Sequence, residues 1–521
     1  MSDPKTSAAA PAPLSGGVLA LGTVALSLAT FMNVLDTSIA NVSIPAMAGD
    51  LGVSPDQGTW VITSFGVANA ISLPLTGWLT QRYGQVKLFV GSVLLFVLAS
   101  FLCGLAPTLP LLIAFRVFQG IVAGPMIPLS QSLLLSSYPK QKAGTALALW
   151  GITTLVAPVV GPLLGGWITD NVSWPWIFYI NVPVGLAAAG VTWTIYAKRE
   201  TATHQRPIDV VGLGLLVIWV GALQLMLDRG KDLDWFGSTQ IRVLAIAAVV
   251  GFAIFVVWEL TDEHPVVDLR LFARRNFWTS SLAMSLAYGT FFGNVVLLPL
   301  WLQQYMGYTA TQAGMVLAPV GLLAILLTPV VGRTVHRIDP RLFATSAFAI
   351  FALVLFMRSH FNTNADFATL MVPTLIQGAA MAVFFIPLVT LSLSGLAPER
   401  IPAASGLFNF ARITAGSFGT SIATTFWDHR ATLHHAQLVE RLTGSDPATA
   451  QALAGLQASG LTDAQSHAML NRMVDQQAFM LSANDVFYAS ALLFLALIAV
   501  VWLARPAKAA QAGGAAAAGA H

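Results

Sequence analysis

Apolar stretches of about 18 to 25 residues recur along nearly the whole chain, from near Val18 to near Leu503. Each is long enough to cross a hydrocarbon core of about 30 Å as an α-helix. Composition agrees, since 56% of the 521 residues are hydrophobic and only 9% are charged, against roughly 25% charged in an ordinary soluble domain. A soluble fold of that make-up would lack an adequate polar surface. The expected class is therefore an all-α polytopic membrane protein.

Polar and Pro/Gly breaks place spans near 18-41, 57-79, 86-106, 109-135, 143-168, 176-197, 208-227, 240-260, 277-303, 311-332, 342-358, 368-394, 403-427 and 484-503. That is about fourteen, and an even number puts both termini on one side. Of 26 Lys and Arg residues, 17 fall in the termini and the loops on the terminal side, seven on the opposite side, and two, Arg116 and Arg412, inside spans. The positive-inside bias places both termini in the cytoplasm. The net charge of +3 therefore reports orientation and gives no reason to expect nucleic acid. Residues 1-17 carry little positive charge and no evident cleavage site follows the first apolar run, which reads as an uncleaved span. The single cysteine, Cys103, offers neither a disulfide framework nor metal-type spacing.

The chain repeats itself at an offset of about 255 to 259 residues. "GWLTQRYGQVKLF" from Gly77 is echoed by "GRTVHRIDPRLF" from Gly332, and "FQGIVAGPMIPL" from Phe118 by "IQGAAMAVFFIPL" from Ile376. Repeated halves around a central pathway are a transporter architecture. The expected organisation is a tail over 1-17, a six-helix half over 18-197, an inserted helix pair over 208-260, a second six-helix half over 277-503, and a low-complexity tail over 504-521 expected to be disordered. The second half includes an external segment, 428-483, with amphipathic helical patterning.

An ionisable residue at mid-membrane costs roughly 2.5 to 3.5 kcal/mol on insertion scales and is a functional candidate by default. Asp36, five or six residues from the outer end of the first span, and Arg116, about seven from the outer end of the fourth, sit at matching depth, roughly 8 to 10 Å below the boundary. One reading is a static ion pair holding two helices together. The other is a proton carrier: burial favours the neutral carboxyl and a nearby arginine the charged one, so alternation between the two loads and unloads a proton. Arg412, near the midplane of its span, is a candidate for substrate binding or for a helix contact. No G-x-x-x-x-G-K-[ST] loop is present, so ATP hydrolysis is not expected. No cofactor is expected either. An ion gradient remains, worth ~2.3 kcal/mol per charge per 100 mV and ~1.4 kcal/mol per pH unit.

A small-molecule path needs apolar and aromatic walls with sparse polar groups. As a set, the candidates are Asn33, Thr37, Asn41, Trp60, Thr63, Gln131, Trp150, Asn294, Gln377, Phe384, Asn409 and Arg412. His429, His434, His435 and His467 lie in or beside the external segment, but their spacing is irregular and no metal site is expected there. The spans offer no convincing nucleophile and base pair, which disfavours a lipid-modifying enzyme.

"LDTSIANVSIP" from Leu35, "GWLTQRYGQVKLF", "RVFQG" from Arg116, "GPLLGG" from Gly161 and "WIFYINVPVG" from Trp176 occur in the order found in the fourteen-span drug:proton antiporters of the major facilitator superfamily, which the chain resembles over essentially its whole length. "QGTWVITSFGVANAISLPLTGWL" and "LDRGKDLDWF" resemble its EmrB-type branch, with the fatty-acid exporter FarB close by. The resemblance implies the major facilitator fold and proton-coupled multidrug efflux by alternating access, with fatty-acid or other metabolite export as the alternative. It implies proton coupling at Asp36, a relay or pairing role for Arg116, and gating motifs at Gly77, Arg82 and Gly84 and at Gly161, Pro162, Gly165 and Gly166. Gln81 stands where that loop motif usually has an aspartate, so its charge-mediated latch is not expected in the usual form. The resemblance also implies a bacterial inner-membrane location. The implied partners are a periplasmic, EmrA-like adaptor and an outer-membrane channel, for which segment 428-483 is either a docking element or a lid.

Overall fold

The computed structural model describes residues 13–139, 142–204, 207, 209–335, 337–440, 442 and 446–505. The expected features at 1–12, at Lys140 and over 506–521 lie outside the described residues. Among the described residues the regular structure is helical throughout, as lipid demands of a backbone with no water to bond.

Fourteen long helices, α1 to α14, carry the fold. They are α1 Gly16–Val42, α2 Trp60–Ser72 continued by Thr76–Tyr83, α3 Gln85–Gly104, α4 Leu109–Ala123 continued by Met126–Ser137, α5 Ala143–Asn171, α6 Asn181–Tyr196 and α7 Val210–Arg229. The remainder are α8 Thr239–Thr261, α9 Arg275–Tyr305, α10 Pro319–Thr334 preceded by Ala310–Leu317, α11 Pro340–Arg358, α12 Phe367–Leu393, α13 Ile401–Val439 and α14 Asp463–Trp502. Among the described residues eleven are long and apolar enough to cross a membrane, and bent α2 makes a twelfth. α5 and α13 complete the fourteen, and α13 is the least apolar because it carries Asn409, Arg412 and a run of Ser, Thr and Gly.

Chain reversals follow local chemistry. Gly84 adopts φ +87 between α2 and α3, a left-handed conformation that other residues rarely take. The Glu200 carboxylate then accepts from the backbone N–H groups of Val86 and Lys87 at 2.9 and 2.8 Å, capping the start of α3. Asp209 caps α7 through Gly212 N and also accepts from Trp258 Nε1, tying α7 to α8. Thr462 and Gln465 form a reciprocal capping box at the start of α14. α2 is bent by 63° where Leu73, Pro74 and Leu75 separate its two parts.

The first and last described segments of the chain lie on one face, here the terminal face. Leu14 N donates to Ser137 O, Arg275 Nε to Leu503 O and Arg341 Nη1 to Ala504 O. On this face the two halves are in contact. A Cβ built on Gly77 would stand 2.5 Å from that of Ala403, one on Gly406 would lie 2.8 Å from Leu73 O, and one on Gly332 would lie 2.7 Å from Ala148 Cβ. Small residues let the backbones approach to this degree. α7 and α8 pack beside the crevice between α2 and α13.

Segment 428-483 is helical at the three stretches whose patterning predicts it: α13 runs unbroken to Val439, the short helix Pro447–Ala458 follows, and α14 begins at Asp463. At 1.5 Å per residue the 39-residue α13 is roughly 58 Å long, about twice the hydrocarbon thickness. Its projecting part is clamped to α14 by Trp427 Nε1 on Phe479 O, Ser482 Oγ on Trp427 O, and an Arg430–Asp485 ion pair joined by His434. One expectation needs correction: Arg358, the last residue of the predicted span 342-358, falls among the seven cations counted on the opposite side. It is 2% exposed and turned into the C-terminal half, because the end of α11 presents that side chain to α12 rather than to water.

Candidate functional site

Asp36 is fully buried and accepts three hydrogen bonds. Arg116 Nη1 donates to its Oδ2 at 2.5 Å, while Asn181 Nδ2 and Gln119 Nε2 donate to its Oδ1 at 2.9 and 3.2 Å. Arg116 is equally buried. It donates from Nε to Val61 O at 3.0 Å and from Nη1 to Gln119 Oε1 at 2.7 Å, and its guanidinium lies 4.3 Å from the centre of the Phe65 ring. Asn181 also reaches Ser100 Oγ at 2.9 Å. Five helices, α1, α2, α3, α4 and α6, thus converge on one carboxylate. Isolated in a low dielectric, a charge of this kind is expensive, and pairing with added hydrogen bonds makes it tolerable. Gln119 and Asn181 escaped the sequence-based candidates although both stand in the motifs quoted above, as uncharged polar residues within apolar runs.

A second group lies between the halves. Trp150 on α5 donates from Nε1 to Ser130 Oγ at 3.0 Å and Thr30 Oγ1 at 3.2 Å, and its ring meets Phe385 on α12 at 5.4 Å. Phe385 and Tyr288 lie under the Arg412 guanidinium at 5.1 and 4.7 Å from their ring centres. Gln131 on α4 accepts from Ser405 Oγ on α13, and Asn409 Nδ2 donates to Ser405 O at 2.9 Å. Three buried atoms here have no partner: Gln131 Nε2, Asn409 Oδ1 and Arg412 Nε. Buried polar groups are seldom left so, and these converge from both halves. Of the predicted substrate set the structure brings Gln131, Trp150, Asn409 and Arg412 together.

The others sit elsewhere. Asn33 donates to Ala123 O at 3.1 Å as a helix contact, Thr37 bonds back to Val34 O, and exposed Asn41 bonds to Thr37 O. Trp60 lies under Arg229 at 4.7 Å and Thr63 donates to Asp228, so both meet α7. In the C-terminal half, Asn294 Nδ2 donates to Ser490 Oγ at 3.0 Å, Gln377 Oε1 accepts from Arg358 Nη2 at 2.6 Å, and Phe384 packs on Phe348 and Phe351.

Among the gating motifs, Gly161 and Gly165 let α5 ride against α1. A Cβ on Gly161 would collide with Ser38, and one on Gly165 would stand 2.7 Å from Ile39 Cγ1. Gly166 has only Val42 nearby, and the side chain of Pro162 lies outside the described residues. Arg82 stacks over Trp78 at 5.4 Å. Gln81, at the aspartate position, gives its carbonyl to His204 N at 2.7 Å. On the distal extension His434 pairs with Asp485, His435 with Asp475 and His467 with Asp463. Among the described residues no three His, Cys, Asp or Glu lie together as a metal site.

Two repeated helical bundles enclosing a buried polar seam make up the architecture of a secondary transporter. Comparison with known proteins agrees. The Major Facilitator Superfamily matches residues 26–420. The chain is 52% identical over 503 residues to the multidrug export protein EmrB of Escherichia coli K12, covering 96% of this chain and 98% of the relative. It is 52% identical over 495 residues to that of Haemophilus influenzae, covering 95% and 97%. Against the fatty acid resistance protein FarB of Neisseria gonorrhoeae it is 48% identical over 494 residues, covering 95% and 97%. The human organic anion transporter MFSD10 (TETRAN) shares the fold, with a TM-score of 0.58, 13% identity and coverage of 93% of this chain and 98% of that one. The chain belongs to the major facilitator superfamily, in its EmrB-type group. It is a membrane transporter and not an enzyme.

Proposed function

We propose that the chain exports hydrophobic and amphipathic toxic compounds in exchange for protons, by alternating access of the seam between its halves. The observation that carries this reading is the carboxylate of Asp36, fully buried yet held by Arg116, Gln119 and Asn181. Separation of α1 from α4 would deprive it of its counter-charge and favour the neutral acid; their return expels the proton. Arg116 acts as the displacing cation. The substrate is read to lie against Trp150, Phe385 and Arg412, where the unpartnered Gln131 Nε2 and Asn409 Oδ1 adapt to different ligands, and the gating glycines set how closely the halves close. The excess of Arg and Lys on the terminal face orients it to the cytoplasm of a bacterial inner membrane. The projecting ends of α13 and α14, with Leu433, Met469 and Met473 exposed, suit docking of a periplasmic adaptor leading to an outer-membrane channel.

The test is Asp36→Asn in proteoliposomes. Export driven by a pH gradient is expected to vanish while folding and downhill exchange of substrate survive. Full gradient-driven export would remove Asp36 from the mechanism. A narrower reading, export of fatty acids, is favoured by Arg412, a buried cation with no carboxylate partner among the described residues. Loss of fatty-acid export alone in Arg412→Gln would support it; unchanged export would end it.

A further inference from the structure

The inserted pair α7–α8 does not close against the core along its whole length. Towards the distal face it is fastened, since Ser421 Oγ donates to Leu227 O, Asp228 meets Thr63 and Trp235 Nε1 reaches Thr425. Towards the terminal face it parts from α2 and α13 and leaves a cavity of about 520 Å³, within the range of small-molecule sites. Its wall is formed by Trp219, Phe255, Phe272, Leu407 and their apolar neighbours, and the one charged group on it is Arg270.

Three features identify an occupant. Trp219 is nine residues from the start of α7 and Leu407 six from the start of α13, so the cavity reaches roughly 14 Å into the leaflet from the terminal face. It is not sealed, since Phe252, Leu260 and Phe272 on its wall are exposed, and an apolar space of this kind takes apolar ligands rather than water. At its rim the segment 270–275 carries Arg270, Arg274 and Arg275. Arg274 donates to Gly395 O and Arg275 to Leu503 O, both neutral carbonyls, while the adjacent carboxylate of Asp268 is taken by Arg400. Among the described residues Arg270 has neither ion pair nor hydrogen bond, and its side chain is exposed. An apolar slot of leaflet depth below an uncompensated cation matches an acyl chain below a phosphate.

We infer that this cavity binds an anionic glycerophospholipid of the leaflet on the terminal face, one acyl chain between α7–α8 and α13 and the headgroup phosphate on Arg270. A zwitterionic headgroup carries an ammonium that offsets the attraction of its phosphate to Arg270 and is discriminated against. Leu407 and Pro74, which the lipid touches, flank the Gly406–Leu73 approach that holds the terminal face closed, so the bound lipid supports that closed arrangement. The inference uses the cavity and its charge, and stands apart from the transport cycle proposed above.

The experiment takes the full chain, stripped of lipid in detergent, and offers dioleoyl phosphatidylglycerol or dioleoyl phosphatidylcholine at equal concentration, with retained lipid counted by native mass spectrometry and the unfolding midpoint read in parallel. Phosphatidylglycerol is expected to be retained and to raise the midpoint more than phosphatidylcholine does. Arg270→Gln should cut its retention about fivefold, the factor one cationic side chain near an anionic lipid provides, and leave phosphatidylcholine unchanged. Val267→Trp, which fills the cavity, should exclude the lipid; Leu407→Phe serves if the first variant does not fold. Equal retention of the two lipids, or full phosphatidylglycerol binding by Arg270→Gln, overturns the inference. Displacement of phosphatidylglycerol by a transported lipophilic cation such as tetraphenylphosphonium, with equal loss in Arg270→Gln and wild type, also overturns it, by making the slot a substrate site.

Discussion

The two six-helix halves hold matching polar clusters of different electrical character, one an ion pair and the other a cation among neutral groups. In the N-terminal half Asp36, Arg116, Gln119 and Ser100 lie together; Asn294, Thr374, Gln377 and Arg358 follow them at one constant offset, that of the sequence repeat. Asn181 and Ser490 fill the same place from the last helix of each half. The first cluster pairs an acid with an arginine donated from its fourth helix. In the second the acid has become an amide, and the arginine has moved to the third helix, where Arg358 Nη2 binds Gln377 at 2.6 Å and Thr374 at 3.0 Å. One half therefore contains a group able to exchange a proton. The other contains a fixed cation beside a cavity of about 10 Å³ lined also by Asn294, whose Oδ1 is unpartnered. The polar scaffold recurs in both halves, and on the proposed mechanism the proton chemistry lies on one side of it.

Breaking the ion pair is the strongest way to test that contrast. Arg116→Gln leaves the Asp36 carboxylate buried without its counter-charge, and removal of one partner of a buried pair costs about 3 to 5 kcal/mol. Asp36→Asn in the same chain gives the N-terminal cluster the neutral character of Asn294, and most of that loss should return. Denaturant unfolding of the two single variants and the double variant measures the coupling. If the double variant is as unstable as Arg116→Gln alone, the charge pair is not what holds this cluster.

The seams inside the halves repeat too, with different tolerance. Gly161 on α5 faces the Ser38 side chain of α1, whereas Gly419 on α13 faces the Gly289 backbone of α9. At Gly161 the nearest atom is a hydroxyl that can rotate away, leaving Ser38 Cβ at 2.8 Å and Ile39 N at 3.2 Å, whereas at Gly419 all three nearest atoms are main chain, at 2.6 Å or less. Overpacking costs typically about 1 to 3 kcal/mol, so Gly419→Ala should fall at the upper end and Gly161→Ala at the lower. Unfolding midpoints of the two variants check the order, and equal midpoints would show that backbone and side-chain neighbours yield alike.

How much of this the sequence discloses depends on how sharply each residue departs from its surroundings. Hydropathy delimits most spans, because a helix in lipid must be apolar wherever lipid touches it. It does not mark where the helix α13 ends: the apolar run stops near Trp427, but helical hydrogen bonding is local and continues through polar residues to Val439. Asp36 and Arg116 stand out because a charge in an apolar run has few bland explanations. Gln119 and Asn181 do not, since neutral polar residues are common helix contacts. Arg358 closes its apolar run, where the sequence alone cannot distinguish a side chain turned to water from one turned inwards. The central group was half legible: Gln131, Trp150, Asn409 and Arg412 could be nominated, but Ser405, Tyr288 and Phe385 join them only through packing between the halves.

The smallest expected effect concerns the cation that has no acid. Arg358→Gln removes two hydrogen bonds, to Gln377 and Thr374, at about 0.5 to 1.5 kcal/mol each. It also removes a desolvated charge whose burial was unfavourable, so the net change in stability should be under about 1 kcal/mol in either direction. On the proposed mechanism the proton is carried in the N-terminal half, and the variant should export substrate with an unaltered number of protons per cycle, read from proton release on substrate addition. A changed proton count would mean that Arg358 takes part in coupling although no carboxylate pairs with it among the described residues. The division of labour between the halves would then have to be replaced by a single charge network running through both.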